Sequence, residues 1–205
     1  MKSTALLLDD HKYILRVLEV LEEMATRARH GQEPDGQDLK DILEFLERFC
    51  DRIHQGREEG ILFPALLRDR SQKNYPKLSS LLFDHNRERF LVQGLQESLL
   101  ASSRRDFVFC ATRLVEVLRE HINEEEATLF PLADSTFSHA DDAQIAADMK
   151  GFDKLWQDKM FPALLSRLDE LESKYLGKAH AKVRASRKKS DQESRNATDT
   201  PTLKT

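Results

Sequence analysis

Two stretches of this 205-residue chain decide its reading: His54-Gln-Gly-Arg-Glu58-Glu-Gly-Ile-Leu62-Phe63-Pro64 and His121-Ile-Asn-Glu-Glu125-Glu-Ala-Thr-Leu129-Phe130-Pro131. Both follow H-x-x-x-E-x-x-x-L-F-P. An α-helix stacks residues i and i+4 on one face. Each stretch therefore presents one imidazole and one carboxylate, about 6 Å apart along the helix axis. Imidazole ligates divalent transition metals at ~2.0–2.1 Å, and a carboxylate can do likewise. With two oxygens, a carboxylate can also bridge two ions.

Outward from the repeat, apolar residues recur at helical spacing almost throughout. The pattern predicts helices over about 5–30, 37–70, 76–100 and 106–133, and a further helical stretch over about 140–176 that Pro162 kinks or interrupts. A loop rich in Gly and Pro joins the first two at 31–36, and polar residues 69–75 break the pattern after the second. Short connections between long helices predict an all-α, up-down-up-down four-helix bundle at about 5–135. The extra stretch would pack outside it or cap one end. Residues 1–176 would form one domain and 177–205 a disordered tail.

Helices one and three each add a histidine to an apolar face. His11 lies among Leu7, Leu8, Ile14 and Leu15, and His85 among Leu81, Leu82 and Val92. A lone interior histidine is ordinarily a hydrogen-bonded core residue, and a lone H-x-x-x-E an ordinary i, i+4 pair. The conjunction reads otherwise. Six buried polar groups without partners would cost roughly a few kcal/mol each, and a shared metal centre satisfies all six. His11, His54, Glu58, His85, His121 and Glu125 are expected to make two nitrogen-rich sites joined by two bridging glutamates. A solvent-derived oxo or hydroxo bridge would leave coordination open to a diatomic ligand.

Composition supports this and excludes other classes. Charged residues are 33% and hydrophobic ones 40%, which suits amphipathic helices with solvated faces. Seven Gly and six Pro are too few for a turn-rich β-sandwich. Two cysteines cannot staple a disulfide scaffold. No apolar run approaches the ~20 residues of a membrane span, and the run at residues 5–8 is too short for a signal peptide. A reducing, cytoplasmic setting is expected, with no membrane partner. The net charge of −4 divides into about +5 on residues 178–205 and −9 on the rest. Only the tail's Arg187-Lys188-Lys189 cluster offers even a weak nucleic-acid contact. Phosphate-loop, nucleophile-elbow and Cys-x-x-Cys motifs are missing.

The ordered series His11, His54-x-x-x-Glu58, His85, His121-x-x-x-Glu125, with both Leu-Phe-Pro tails, resembles the hemerythrin-like family of HHE cation-binding domains over about residues 5–135. The resemblance implies a non-haem di-iron centre with those six residues as ligands and both glutamates bridging. It implies binding of, or reaction with, oxygen, peroxide or nitric oxide, in stress response or sensing. Repair of iron centres or iron donation, peroxide or nitric-oxide reduction, and a purely structural metal staple are the alternatives. Oxygen-carrying hemerythrins usually hold a second histidine one turn after the third-helix ligand; here Arg89 stands there, with Glu88 beside it. They usually carry the fourth-helix carboxylate as Asp one position further on, here Glu126. Both departures point away from oxygen transport. Iron is expected ahead of zinc or manganese, because six donors with two bridges exceed the needs of one tetrahedral zinc. The ferritin-type E-x-x-H is missing, since Asp51 and Leu118 stand three before the repeat histidines.

Among the remaining residues, Cys50 and Cys110 are expected as buried core thiols, and His30, His139 and His180 as solvated. Pro64 and Pro131 should kink or end their helices. Phe49, Phe63, Phe83, Phe90 and Phe130 should pack the core or keep the site dry.

Overall fold

A computed structural model describes residues 1–68, 75–152 and 154–177, with no strand among them. The expected basic tail, with His180 and Arg187-Lys188-Lys189, lies outside the described residues. The first rod is α1 (Lys2–Arg29). The second begins with α2 (Gly36–Phe45), continues through wide π-type stretches at Leu46–Gln55 and Glu58–Leu62, and ends in α3 (Phe63–Leu66). The third is α4 (Tyr75–Leu100). The fourth is α5 (Arg104–Glu124), a π-type stretch at Glu125–Leu129, then α6 (Phe130–Thr136). Consecutive rods touch, and the fourth returns to α1, which closes the up-down-up-down ring. No described helix is long and apolar enough to cross a membrane.

Local chemistry sets the rod ends. At the close of α1 the Gly31 amide donates to Ala28 and the Gln32 amide to Arg27, with Gly31 at φ +94. This is the left-handed cap that glycine alone adopts without strain. Asp35 caps α2 through the amides of Gln37 and Asp38, and Ser103 caps α5 through that of Asp106.

Neither helix of the repeat ends at its proline. Phe63 donates its amide to Glu58, and Phe130 to Glu125, each five residues back. A proline ring clashes with the carbonyl four residues earlier. Widening the preceding turn accommodates the ring and lets both rods run on.

The C-terminal stretch is three helices: α7 (His139–Gly151), α8 (Lys154–Lys159) and α9 (Phe161–Tyr175). Pro162 sits in the first turn of α9, where its missing amide costs nothing. The earlier break after Gly151 has no proline to announce it. Helix α7 packs on α1 and the second rod, and α9 on α1 and α2. Arg16 forks onto Glu172 and Asp169, and the Tyr175 hydroxyl donates to Asp38.

The core is two apolar clusters. One includes Leu18, Ile42, Leu95 and Leu114; the other includes Leu7, Leu62, Leu81, Leu129 and Met149. The histidines and glutamates of the repeat fall between them. Phe83 and Phe90, expected inside, are 69% and 73% exposed on the outer face of α4. Phe49 is buried beside Phe45 and Phe161 rather than near the repeat.

Helix α4 meets α5 closely at Gly94, where an added Cβ would lie 2.6 Å from Cys110 Sγ. Gly94→Ala should therefore destabilise by about 1–3 kcal/mol by overpacking. In a Cys110→Ala background the same change should be neutral or stabilising, since alanine favours helix by ~1 kcal/mol. Denaturant unfolding of the four proteins checks both signs.

Asp142 of α7 accepts the amides of Lys2 and Ser3 and the Ser3 hydroxyl. Burial opposes its charge, but these donors more than offset that and hold its carboxyl below the usual value. Its contribution is present above the ordinary aspartate range and fades as pH falls through the depressed value. Asp142→Asn should lower the melting temperature at neutral pH and flatten the acid limb of a melting-temperature profile.

Candidate metal centre

All four histidines turn Nε2 inward. His11 Nε2 lies 3.2 Å from Glu125, and His54 Nε2 3.6 Å from Glu58. On the other side His85 Nε2 lies 3.5 Å from Glu58, and His121 Nε2 3.1 Å from Glu125. The structure brings together two overlapping groups, His11–His54–Glu58–Glu125 and Glu58–His85–His121–Glu125, whose ligand atoms lie within 4.8 Å of one another. Both glutamates belong to both groups. All six residues are at most 3% exposed.

The donor chemistry fits a pair of cations. Among the described residues neither oxygen of Glu58 or Glu125 has a hydrogen-bond partner, and neither does His11 Nε2. The Nε2 atoms of His85 and His121 face one another at 3.1 Å. Two nitrogens each ~2.0–2.1 Å from one ion stand about 3.0–3.4 Å apart. Without a metal, protons serve in its place. Burial opposes charge on His121, but the adjacent Glu125 carboxylate lifts its pKa to about 10. Glu58 and Glu59 lift His85 to about 9 against the same burial penalty. Burial pushes Glu125 up, yet the His121 charge holds it well below the carboxylate range. An arriving cation must displace these protons.

Each outward Nδ1 also faces a carboxylate. His11 Nδ1 donates to Glu126 at 2.9 Å, and His85 Nδ1 to Glu59 at 2.7 Å. His54 Nδ1 is 3.6 Å from Asp10, and His121 Nδ1 4.0 Å from Glu88. A carboxylate behind a ligand imidazole fixes its tautomer and orientation. The two repeats act alike here. The glutamate after each inward glutamate and the phenylalanine four positions later grip one histidine of the next rod. Phe63 stacks on His85 at 6.0 Å and Phe130 on His11 at 5.4 Å.

Arginines hold this outer ring. Arg57, buried, donates to Asp10 at 2.7 Å and to the Met149 carbonyl of α7. Arg89 donates to Glu59 and Asp51. The residue standing where oxygen carriers have a histidine thus braces the carboxylate behind His85.

A model of the hemerythrin HHE cation-binding domain matches residues 2–133. The chain belongs to that family. No curated protein and no solved structure matches it significantly. Family membership and the buried His/Glu groups together mark this hemerythrin-family protein as a metal-binding helical protein.

Sequence reasoning missed Asp10, Glu59, Glu88 and Glu126 as partners of the histidines. The second glutamate of each repeat was visible as a shared letter; Asp10 and Glu88 had no such signal. His30 and His139 are exposed, as expected. Cys50 is buried, its thiol pushed well up by burial, and Cys110 is partly buried. Glu59→Gln combined with Glu126→Gln should weaken metal retention about 10–100-fold while leaving helicity intact. Chelator competition and circular dichroism measure the two.

Proposed function

We propose that this protein is a non-haem di-iron protein whose centre binds or reacts with a small ligand such as oxygen, peroxide or nitric oxide, in stress response or sensing. The observation that carries this is the pair of groups sharing two buried carboxylates, each facing two inward imidazole nitrogens and, among the described residues, without a hydrogen-bond partner. In this reading His11 and His54 would hold one iron and His85 and His121 the other, with Glu58 and Glu125, which belong to both groups, placed to serve each. Iron supplies redox-active cations with room for an exogenous ligand.

The chain's own residues do the rest. The two glutamates neutralise part of the dication charge, which makes the buried layer tolerable. Glu126 and Glu59 orient the imidazoles of His11 and His85, and the stacked Phe130 and Phe63 keep those rings from water. Six donors in two overlapping groups exceed one tetrahedral ion and suit a pair; iron as that pair follows from the family resemblance. The free thiols of Cys50 and Cys110 suit a cytoplasmic setting.

Anaerobic reconstitution with ferrous iron, followed by elemental analysis, should give about two irons per chain. His54→Ala or His121→Ala should lower that towards one or none. Unchanged stoichiometry in both variants would overturn the assignment. Optical spectra under oxygen, peroxide and nitric oxide then separate the roles. A reversible charge-transfer band marks a sensor or carrier, turnover marks a reductase, and silence marks a structural staple.

A further inference from the structure

The family match ends at residue 133, and α7 (His139–Gly151) lies beyond it. This added helix nevertheless reaches the outer shell of the histidine layer. Its first turn is fixed to the start of α1, where Asp142 accepts the amides of Lys2 and Ser3. Its apolar side, with Ile145 and Met149, is buried in the same cluster as Leu7 and Leu62. Near its other end, the Met149 carbonyl accepts a hydrogen bond from Arg57 Nε at 3.1 Å. The same guanidinium donates from Nη1 to Asp10 Oδ2 at 2.7 Å. That oxygen also faces His54 Nδ1, at 3.6 Å. One buried side chain thus spans from the added helix to the carboxylate behind a ligand histidine.

We propose that Arg57 is a positioning residue for His54 and that, through it, the docking of α7 and metal binding at His54 reinforce one another. The proposal rests on the di-iron reading and adds a helix outside the family match to the working parts of the site. A histidine that gives Nε2 to a cation keeps its ring proton on Nδ1. In His54 that proton points at Asp10. The 3.6 Å separation is too long for a hydrogen bond, and the buried Nδ1 has no such partner among the described residues. A buried N–H without an acceptor weakens ligation, so metal retention here depends on where the Asp10 carboxylate is held. Arg57 holds it, and Arg57 is itself aimed by a backbone carbonyl that only docked α7 supplies. A guanidinium freed from Met149 keeps its pair with Asp10 and can draw that carboxylate away from His54. The reverse follows by linkage: whatever the docked helix adds to metal affinity, the metal returns to the docking. The corresponding arginine of the other half, Arg89, pairs with Asp51 and Glu59, both on the second rod. The coupling to α7 therefore belongs to the His54 side.

Amide hydrogen exchange read by mass spectrometry tests this on the full chain, with and without ferrous iron loaded anaerobically. Global stabilisation by iron would slow exchange everywhere alike, so α9 (Phe161–Tyr175), which packs chiefly on α1 and α2, is the internal reference. Iron should slow exchange in α7 about tenfold more than in α9. Arg57→Met should abolish that excess and weaken iron retention against a chelator, also about tenfold. Asp142→Asn loosens the far end of α7 without touching the histidine layer. It should weaken iron retention too, yet add nothing in the Arg57→Met background. Circular dichroism checks folding. Arg57→Lys, which keeps the charge beside Asp10 but gives up the forked guanidinium, replaces Arg57→Met if that variant does not fold. Equal slowing of α7 and α9 in the parent would overturn the coupling. So would excess protection that persists in the folded Arg57 variant, or unchanged iron retention in an Asp142→Asn protein whose α7 exchanges faster. Absence of two irons in the parent protein would instead count against the di-iron reading itself.

Discussion

Two carboxylates, buried completely at the centre of a helical bundle and without a hydrogen-bond partner among the described residues, are the constraint around which this structure is organised. Moving an isolated carboxylate from water into a protein interior costs several kcal/mol or more, even after relaxation. Glu58 and Glu125 meet that cost with four imidazoles around them. In the metal-free chain the neighbouring carboxylates draw His121 and His85 towards their protonated forms, lifted to about 10 and 9. Cations take over the same compensation when they displace the protons. The six donor residues already converge in the metal-free chain, so the layer is preorganised for cations. The apolar clusters on either side of the layer supply the folding free energy that the layer itself withholds.

The backbone follows the same logic. Each repeat must place a histidine and a glutamate on one face, then pass a proline without losing the helix. The His121–Glu125 step keeps α-register, with the Glu125 amide bonded to the His121 carbonyl. The chain then widens, so that each inward glutamate lends its own carbonyl to an amide five residues on. The wide turn follows the ligand glutamate directly. It brings Phe63 and Phe130 against histidines of neighbouring rods. Proline, wide turn and stacked phenylalanine are therefore one device made twice by the L-F-P ending.

What was legible in the sequence was what is periodic or repeated. Helical spacing revealed the rods, and the doubled motif with His11 and His85 revealed the inward ring, because an i, i+4 relation is local to one helix. The outer ring joins different rods, and no local spacing encodes those partners. Asp10 looks like any solvent-facing acid beside Asp9, yet it backs His54 and pairs with Arg57. Glu88 looks like a surface residue between Arg87 and Arg89, yet it is 3% exposed, and burial raises its pKa to about 7. Phe83 and Phe90 misled in the opposite direction. Their apolarity suggested the core, while their register on α4 faces outward, away from Leu81, Leu91 and Leu95. The wide turns were hidden too, because a π-type turn differs from an α-turn by one residue of hydrogen-bond register and needs no special composition.

The near-symmetry of the two repeats makes their differences informative. Each donates an inward histidine, an inward glutamate, an outer glutamate and a stacking phenylalanine, so the sequence of the repeat alone would give two equivalent positions. The equivalence is broken by elements that the repeat does not contain. Helix α7, anchored by Asp142 to the first residues of α1 and by Met149 to Arg57, covers one seam. The facing seam is held at its rim by Arg89, about one-third exposed, and at its floor by the Gln55–Glu88 pair. A buried guanidinium tied to a backbone carbonyl on one side and a solvent-screened one on the other resist opening unequally, since charge pairs weaken as water reaches them. Two chemically similar positions acquire different surroundings in this way without any change to their ligands. The appended helix α7 thus adds to differences that Arg89, Gln55 and Glu88 already build into the rods.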